Sequence, residues 1–64
     1  MYIISYLEFN EPKMKSFQNQ YETLEYIKSV KNETVVEKIF DINRLGHVTE
    51  YKVVFDGKFN LQAV

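Results

Sequence analysis

The first predicted strand is apolar on both of its faces, and this feature constrains the fold more than any other. The strand runs from Tyr2 to Phe9 with the sequence YIISYLEF. Side chains alternate across a strand, so its apolar residues form two sets that point in opposite directions. One set is Tyr2, Ile4 and Tyr6, and the other is Ile3, Leu7 and Phe9. A cover is therefore expected on each side of this strand, and in a short chain one cover can be another molecule.

The length of the chain limits how it can be stabilised. Its 64 residues form one small domain, residues 1–64, whose stability is expected to be marginal. Small domains commonly gain stability from disulfides, a metal or a partner subunit. The chain has no cysteine and its only histidine is His47, which excludes disulfides and a thiolate or multi-histidine zinc site. Self-association is the remaining common source of stability.

The charge and hydropathy patterns narrow the class of protein. Eight basic and nine acidic residues are scattered along the chain, so no basic block indicates a nucleic-acid-binding arm. No apolar run approaches the roughly 18 residues that a membrane span needs, and no signal peptide is evident. We therefore expect a cytoplasmic protein without a membrane partner. The abundance of Lys, Asn, Ile and Tyr, with a single Ala, is typical of an AT-rich genome and similar in composition to small phage and mobile-element proteins.

A proline turn and a helix signal follow the first strand. The segment from Asn10 to Lys13 predicts a four-residue loop that would pair Phe9 with Met14 and Glu8 with Lys15. The second strand would then run from Met14 to Gln18.

The next segment, residues 19–22, reads as a helix capping box, with Asn19 as the N-cap and Glu22 reaching back to the start of the helix. The predicted helix continues to about Lys31 and ends at a left-handed Asn32. Its apolar side consists of Tyr21, Leu24, Ile27 and Val30.

Two glycine-ended turns divide the remainder into three strands. A four-residue loop at residues 43–46 would align Val36 with Val53 and Glu37 with Lys52. At Asp56-Gly57, a two-residue turn and a three-residue loop are both possible, and they put a given side chain of the last strand on opposite faces of the sheet. We favour the three-residue loop with a bulge at Gly57, because it places the apolar side chains of the last two strands on one face.

The element order ββαβββ predicts an α+β fold. A right-handed crossover through the helix places the third strand beside the first, which gives a single, mostly antiparallel sheet of order 2-1-3-4-5 with the helix on one face. The predicted core under the helix contains Tyr2, Ile4, Tyr6, Phe17, Leu24, Ile27, Val36, Phe40, Tyr51, Val53, Phe59 and Leu61. The other face would show Ile3, Leu7, Phe9, Met14, Ile39, Val48 and Val54. So large a patch means either that the strand registers differ or that this face is an interface.

The sequence carries no catalytic, cofactor-binding or metal-binding signature. His47 starts a strand without a nearby cysteine or paired carboxylate. Glu37 and Asp41 are spaced to share a strand face, but the predicted register sets Lys52 opposite them. No phosphate-binding loop, zinc-protease motif or nucleophile elbow is present. We expect a non-enzymatic protein with no cofactor, no metal and no small-molecule substrate.

Protein binding is the function that this pattern favours. We expect a small accessory or regulatory module that forms a homodimer and, in a phage setting, modulates or inhibits a host protein. The predicted interface consists of Ile3, Leu7, Phe9 and Met14, with Tyr26 as an exposed aromatic anchor on the helix. The alternative is a single-stranded nucleic-acid binder that stacks bases on sheet aromatics, although the chain lacks the aromatic-glycine motif of RNA-recognition sheets.

Overall fold

A computed structural model describes all residues, 1–64, as one five-stranded sheet and one helix. The elements are β1 (Tyr2–Glu8), β2 (Glu11–Phe17), α1 (Gln20–Ser29), β3 (Thr34–Ile42), β4 (Val48–Phe55) and β5 (Phe59–Ala63). The strands lie in the order β2-β1-β3-β4-β5, and each neighbouring pair is antiparallel. The predicted α+β fold and strand order are confirmed.

The β1–β2 hairpin is tighter than the sequence predicted. Phe9 and Asn10 form a two-residue turn with φ of 50° and 65°, and Glu8 lies opposite Glu11. Two left-handed residues give a turn whose twist matches that of the flanking strands. The predicted four-residue loop is therefore wrong, and so are the predicted cross-strand pairs. Pro12 lies inside β2, which it can do because β2 is an edge strand.

The helix begins where the capping box predicted and ends earlier. The Asn19 Oδ1 atom accepts a hydrogen bond from the Glu22 backbone N–H at 2.9 Å, and the Glu22 carboxylate accepts one from the Gln18 N–H at 3.3 Å. The helix ends at Ser29, because Val30 is already extended, and Asn32 is not left-handed. The predicted end at Lys31 is wrong.

The buried side of α1 also differs from the prediction. Tyr21 is 72% exposed, whereas Thr23 is fully buried and its hydroxyl donates to the Asn19 carbonyl at 2.9 Å. This backbone bond satisfies the threonine hydroxyl, so its burial carries little penalty.

A β-bulge in β3 decides which of its side chains reach the core. Ser5 lies opposite Lys38 and Tyr6 lies opposite Val36, so Glu37 is an extra residue. The bulge interrupts the alternation of side chains. As a result Val36 and Ile39 share the face under the helix.

The same bulge overturns two predicted placements. Ile39, predicted on the uncovered face, is only 3% exposed and belongs to the core. Phe40, predicted in the core, lies opposite Ile3 on the other side of the sheet. Regular alternation from Val36 would have given the predicted arrangement.

The β3–β4 loop is one residue longer than predicted. Ile42 pairs with Val48, so the loop contains residues 43–47. The Asn43 Oδ1 atom accepts hydrogen bonds from the N–H groups of Leu45 at 2.9 Å and His47 at 3.0 Å, which holds the longer loop. The predicted pairs of Val36 with Val53 and of Glu37 with Lys52 do not form.

The β4–β5 register follows the prediction. Residues 56–58 form a three-residue loop with Gly57 at φ 74°. Val53 lies opposite Leu61, so these side chains share the face under the helix. The preferred register is confirmed.

The core is small for the size of the sheet. Its buried apolar residues are Ile4, Tyr6 and Ile39. Partly buried side chains that pack against them are Phe17, Tyr26, Ile27, Val36, Tyr51, Val53 and Leu61. Phe59, predicted in the core, instead stacks edge-on against Phe55 with ring centroids 5.0 Å apart and stays half exposed. Only 4 of 64 residues are buried, so much apolar surface stays in contact with water.

Candidate interaction surface

The sheet has one face without a cover, which we call the open face. The helix packs against the side of β1 that carries Ile4 and Tyr6, and the cross-strand register identifies the residues on the opposite side. The apolar residues of the open face are Ile3, Leu7, Pro12, Met14, Val35, Phe40, Ile42, Val48 and Val54. Its polar residues are Ser5, Ser16, Lys38, Glu50, Lys52, Asn60 and Gln62.

The apolar residues of the open face form two patches. At one end of the sheet Ile3 lies opposite Phe40, and Ile42 lies opposite Val48. At the other end Leu7 lies between Pro12 on β2 and Val35 on β3.

Two polar residues lie between the two patches. Ser5 on β1 and Lys38 on β3 lie opposite each other, whereas the same row on β2 is occupied by the apolar Met14. The open face has mixed charge, because it carries Lys38, Glu50 and Lys52. None of the three takes part in an ion pair within the chain, so each is available to a partner.

The total accessible surface agrees with an incompletely covered sheet. The protein exposes 4871 Å², whereas a compact monomer of 7.7 kDa is expected to expose about 4,300 Å². The excess is about 500 Å² of polar and apolar surface together.

Three of the five predicted interface residues lie together on the open face. Ile3 and Leu7 are two side chains of the same strand face, and Met14 lies between their levels on β2. Met14 is 69% exposed, while Ile3 and Leu7 are half-buried by their neighbours. The structure therefore brings these three residues onto one surface.

Phe9 lies at the hairpin turn and not on the strand face where the sequence placed it. Its side chain is 72% exposed at the end of β1, and its backbone is left-handed. The predicted pairing with Met14 would have kept it in the sheet. The two-residue turn removes it from the ladder.

Tyr26 lies on the opposite side of the sheet from Ile3, Leu7 and Met14. Its ring centroid is 5.3 Å from that of Phe17 and 5.9 Å from that of Tyr6, and the Lys15 ammonium lies 4.9 Å above the ring. Tyr26 is half-buried, so its description as an exposed anchor is wrong. Burial and the nearby Tyr6 raise the pKa of the Tyr26 hydroxyl.

Several open-face residues were missed from the sequence. Phe40 and Ile42 belong to this surface because the bulge at Glu37 puts the side chains beyond it on the opposite face, whereas Val35 precedes the bulge and lies here by alternation with Val36. The only available signal was the run Glu37-Lys38, two adjacent charged residues between the apolar pairs Val35-Val36 and Ile39-Phe40. A doubled polar position of this kind is what a bulge produces.

The polar residues considered for catalysis do not assemble into a reactive site. His47 is exposed in the β3–β4 loop, and Asp41 lies 3.3 Å from the Met1 amino group. Glu37 forms no ion pair with Lys52, which faces Gln62 on β5. The His, Asp and Glu side chains form no cluster that could hold a metal ion.

Two open clefts indent the surface. One, of about 300 Å³, opens where β3 and β4 stop pairing beyond the bulge, and its lining includes Val36, Tyr51 and Lys52. The other, of about 250 Å³, lies near the end of α1 between Glu8 and Lys31. Both are at or below the lower size limit of ordinary small-molecule sites.

A second aromatic pair lies under the helix side of the sheet. The Tyr2 and Tyr51 ring centroids are 5.8 Å apart. Burial and the neighbouring Tyr2 raise the pKa of the Tyr51 hydroxyl.

An ion pair lies at the opposite end of β1. A 2.8 Å hydrogen bond to Glu8 and the charge of that carboxylate raise the pKa of the exposed Lys13 ammonium.

The single helix has ten residues and is too short to cross a membrane.

Searches of protein families, curated proteins and solved structures give no match to this chain.

Proposed function

We propose that this chain is a small non-enzymatic module that binds a protein partner through its open face. The observation that carries the proposal is the uncovered apolar surface on both ends of that face. Apolar side chains that stay uncovered on one face of a sheet commonly mark an interaction site, since leaving them in water is unfavourable. The module acts as an accessory or regulatory subunit and works as a homodimer.

The composition of the open face fits a protein surface better than other ligands. Two apolar patches flank Lys38, so a partner that presents apolar side chains around a carboxylate would match both features. A compositional similarity to small phage proteins suggests that this partner is a bacterial host protein, which the module modulates or inhibits by covering one of its surfaces.

The distribution of aromatic residues disfavours the nucleic-acid alternative. Base stacking needs aromatic side chains on an accessible sheet face. Phe40 is the single aromatic residue on the open face, whereas Tyr2, Tyr6 and Tyr51 lie on the helix side. Fluorescence polarisation with a single-stranded oligonucleotide at low salt should show no binding. Binding that falls steeply as salt is added would favour the alternative.

A comparison of matched surface variants tests the proposal. Met14→Asp and Val35→Asp place a charge on the open face at positions that are 69% and 55% exposed, so folding should be little affected. Tyr21→Asp is the matched control, because Tyr21 is similarly exposed but lies on the helix. Each protein is immobilised and exposed to a lysate of a bacterium whose genome is AT-rich.

The proposal predicts one retained host protein that is captured by the wild type and by Tyr21→Asp. That protein should be lost from both open-face variants. Equal capture by all four proteins would show that the open face is not the interface.

A further inference from the structure

We propose that the free edge of β5 is where a second copy of this chain adds to the sheet, by antiparallel pairing across a two-fold axis at Leu61. This inference rests on the proposed homodimer and deepens it by naming the surface that joins the two copies. The open face then stays free for the protein partner.

The two edges of the sheet differ in how they are protected. At one edge, β2 contains Pro12 and two lysines, Lys13 and Lys15, and these are residue types that block pairing between sheet edges. At the other edge, β5 has the sequence FNLQA without a charge or a proline. Unprotected edges of this kind readily accept another strand.

The hydrogen-bonding phase of β5 shows which of its backbone groups are free. The Val64 N–H donates to the Glu50 carbonyl at 2.9 Å, and the Asp56 N–H donates to the Lys58 carbonyl at 3.0 Å. Bonding to one neighbour alternates along an antiparallel strand. The even-numbered residues of β5 therefore bond to β4, and the N–H and C=O groups of Phe59, Leu61 and Ala63 point outward.

A two-fold axis at Leu61 satisfies all of these outward groups together. It places Phe59 opposite the partner's Ala63, and Leu61 opposite the partner's Leu61. Each of these pairs is then of the hydrogen-bonded type, in which both residues donate and accept. A shift by two residues would leave one outward residue of each copy unpaired.

The side chains agree with the same register. Phe59, Leu61 and Ala63 lie on the helix face in both copies, which extends the apolar layer across the junction. Asn60 lies opposite the partner's Gln62 on the open face, so amide meets amide and no like charges are opposed. Phe59 is 48% exposed in the single chain and would gain cover from the partner.

Strand addition joins the two copies through backbone hydrogen bonds, which a face-to-face contact would lack.

Two double variants test the register as well as the surface. Asn60→Glu with Gln62→Glu opposes carboxylates at two symmetric places, so the dimer dissociation constant should rise at least about tenfold. Asn60→Lys with Gln62→Glu instead opposes the introduced lysine to the partner's introduced glutamate and should remain dimeric. The variants differ only at position 60. In both of them the glutamate introduced at position 62 faces Lys52 of its own chain.

Sedimentation equilibrium measures the outcome, with circular dichroism to confirm that each variant is folded. A monomeric wild type overturns the proposal, as do two variants that are both dimeric or both monomeric. The open-face variant Val35→Asp should remain dimeric. If Val35→Asp is monomeric while the two-glutamate variant dimerises, the second copy occupies the open face, which refutes the β5 assignment and leaves the homodimer of the proposed function intact.

Discussion

Phe9 is an unusual residue for the turn that it occupies. Its φ of 50° lies in the left-handed region, which costs a bulky residue roughly 1 kcal/mol relative to asparagine or glycine. Since the ring is 72% exposed, its removal loses little buried area. Phe9→Asn should therefore raise the free energy of unfolding by about 0.5–1 kcal/mol in urea denaturation.

A branched substitution at the same position supplies the control. Phe9→Val also removes the ring, but a β-branched residue tolerates positive φ poorly, so stability should fall. A loss of stability with Phe9→Asn would mean that the ring makes stabilising contacts that outweigh the backbone strain.

The Tyr26 hydroxyl links stability to alkaline pH. Burial against its aromatic neighbours raises its pKa in the folded state above the usual value near 10. The folded form therefore keeps a proton that the unfolded form loses, and this contribution to stability is full below pH 10 and disappears as the pH rises through the folded pKa.

Removal of that hydroxyl should weaken the alkaline loss. Tyr26→Phe keeps the ring against Phe17 and Tyr6 but has no proton to lose, so its free energy of unfolding should fall less between neutral and strongly alkaline pH. Urea denaturation at a series of pH values measures this difference. Parallel curves for the variant and the wild type would assign the alkaline loss to other groups.

At the scale of the element, the bulge in β3 sets the division between core and open face. Ile39 is 3% exposed beneath the helix, whereas Ile42 lies half-buried on the open face of the same strand. Ile39→Val should lower the free energy of unfolding by about 1 kcal/mol through a small cavity, and Ile42→Val by only a few tenths. Equal losses in urea denaturation would contradict the register that the bulge creates.

The elements themselves followed from local signals, whereas their registers did so only in part. The Asn19–Glu22 capping box located the helix start, and the crossover rule gave the strand order. The turn at Phe9-Asn10 and the bulge at Glu37 were missed, because a left-handed phenylalanine is rare and a bulge depends on pairing between distant strands.

The candidate site shows the same limits. The two-faced pattern of β1 predicted an uncovered face that contains Ile3 and Leu7. Met14 also lies on that face, although the pairing with Phe9 that placed it there is wrong. The residues contributed by β3 could not be predicted without its register. Tyr26 was misplaced because the buried side of a short helix depends on its orientation over the sheet.

At the scale of the whole molecule, the sheet has two surfaces that are open to a partner, since its second edge is protected by Pro12 and the lysines of β2. The open face lacks a second layer, and the edge of β5 lacks a neighbouring strand. These two surfaces differ in chemistry, since the face offers side chains and the edge offers backbone groups. The two can therefore be occupied together, the face by a protein partner and the edge by a second copy.

A dimer whose contact is part of the folded sheet should have a melting temperature that depends on protein concentration. When two folded copies dissociate as they unfold, mass action stabilises the folded state by about 0.7 kcal/mol per chain for each tenfold rise in concentration. For a domain of 64 residues this corresponds to a rise in Tm of about 5 °C. Differential scanning calorimetry over a hundredfold range should show this dependence for the wild type and for Val35→Asp, and none for the Asn60→Glu, Gln62→Glu double variant at concentrations below its raised dissociation constant. A wild-type Tm that does not change with concentration would mean that the folded copies do not pair in this range, which contradicts the β5 dimer.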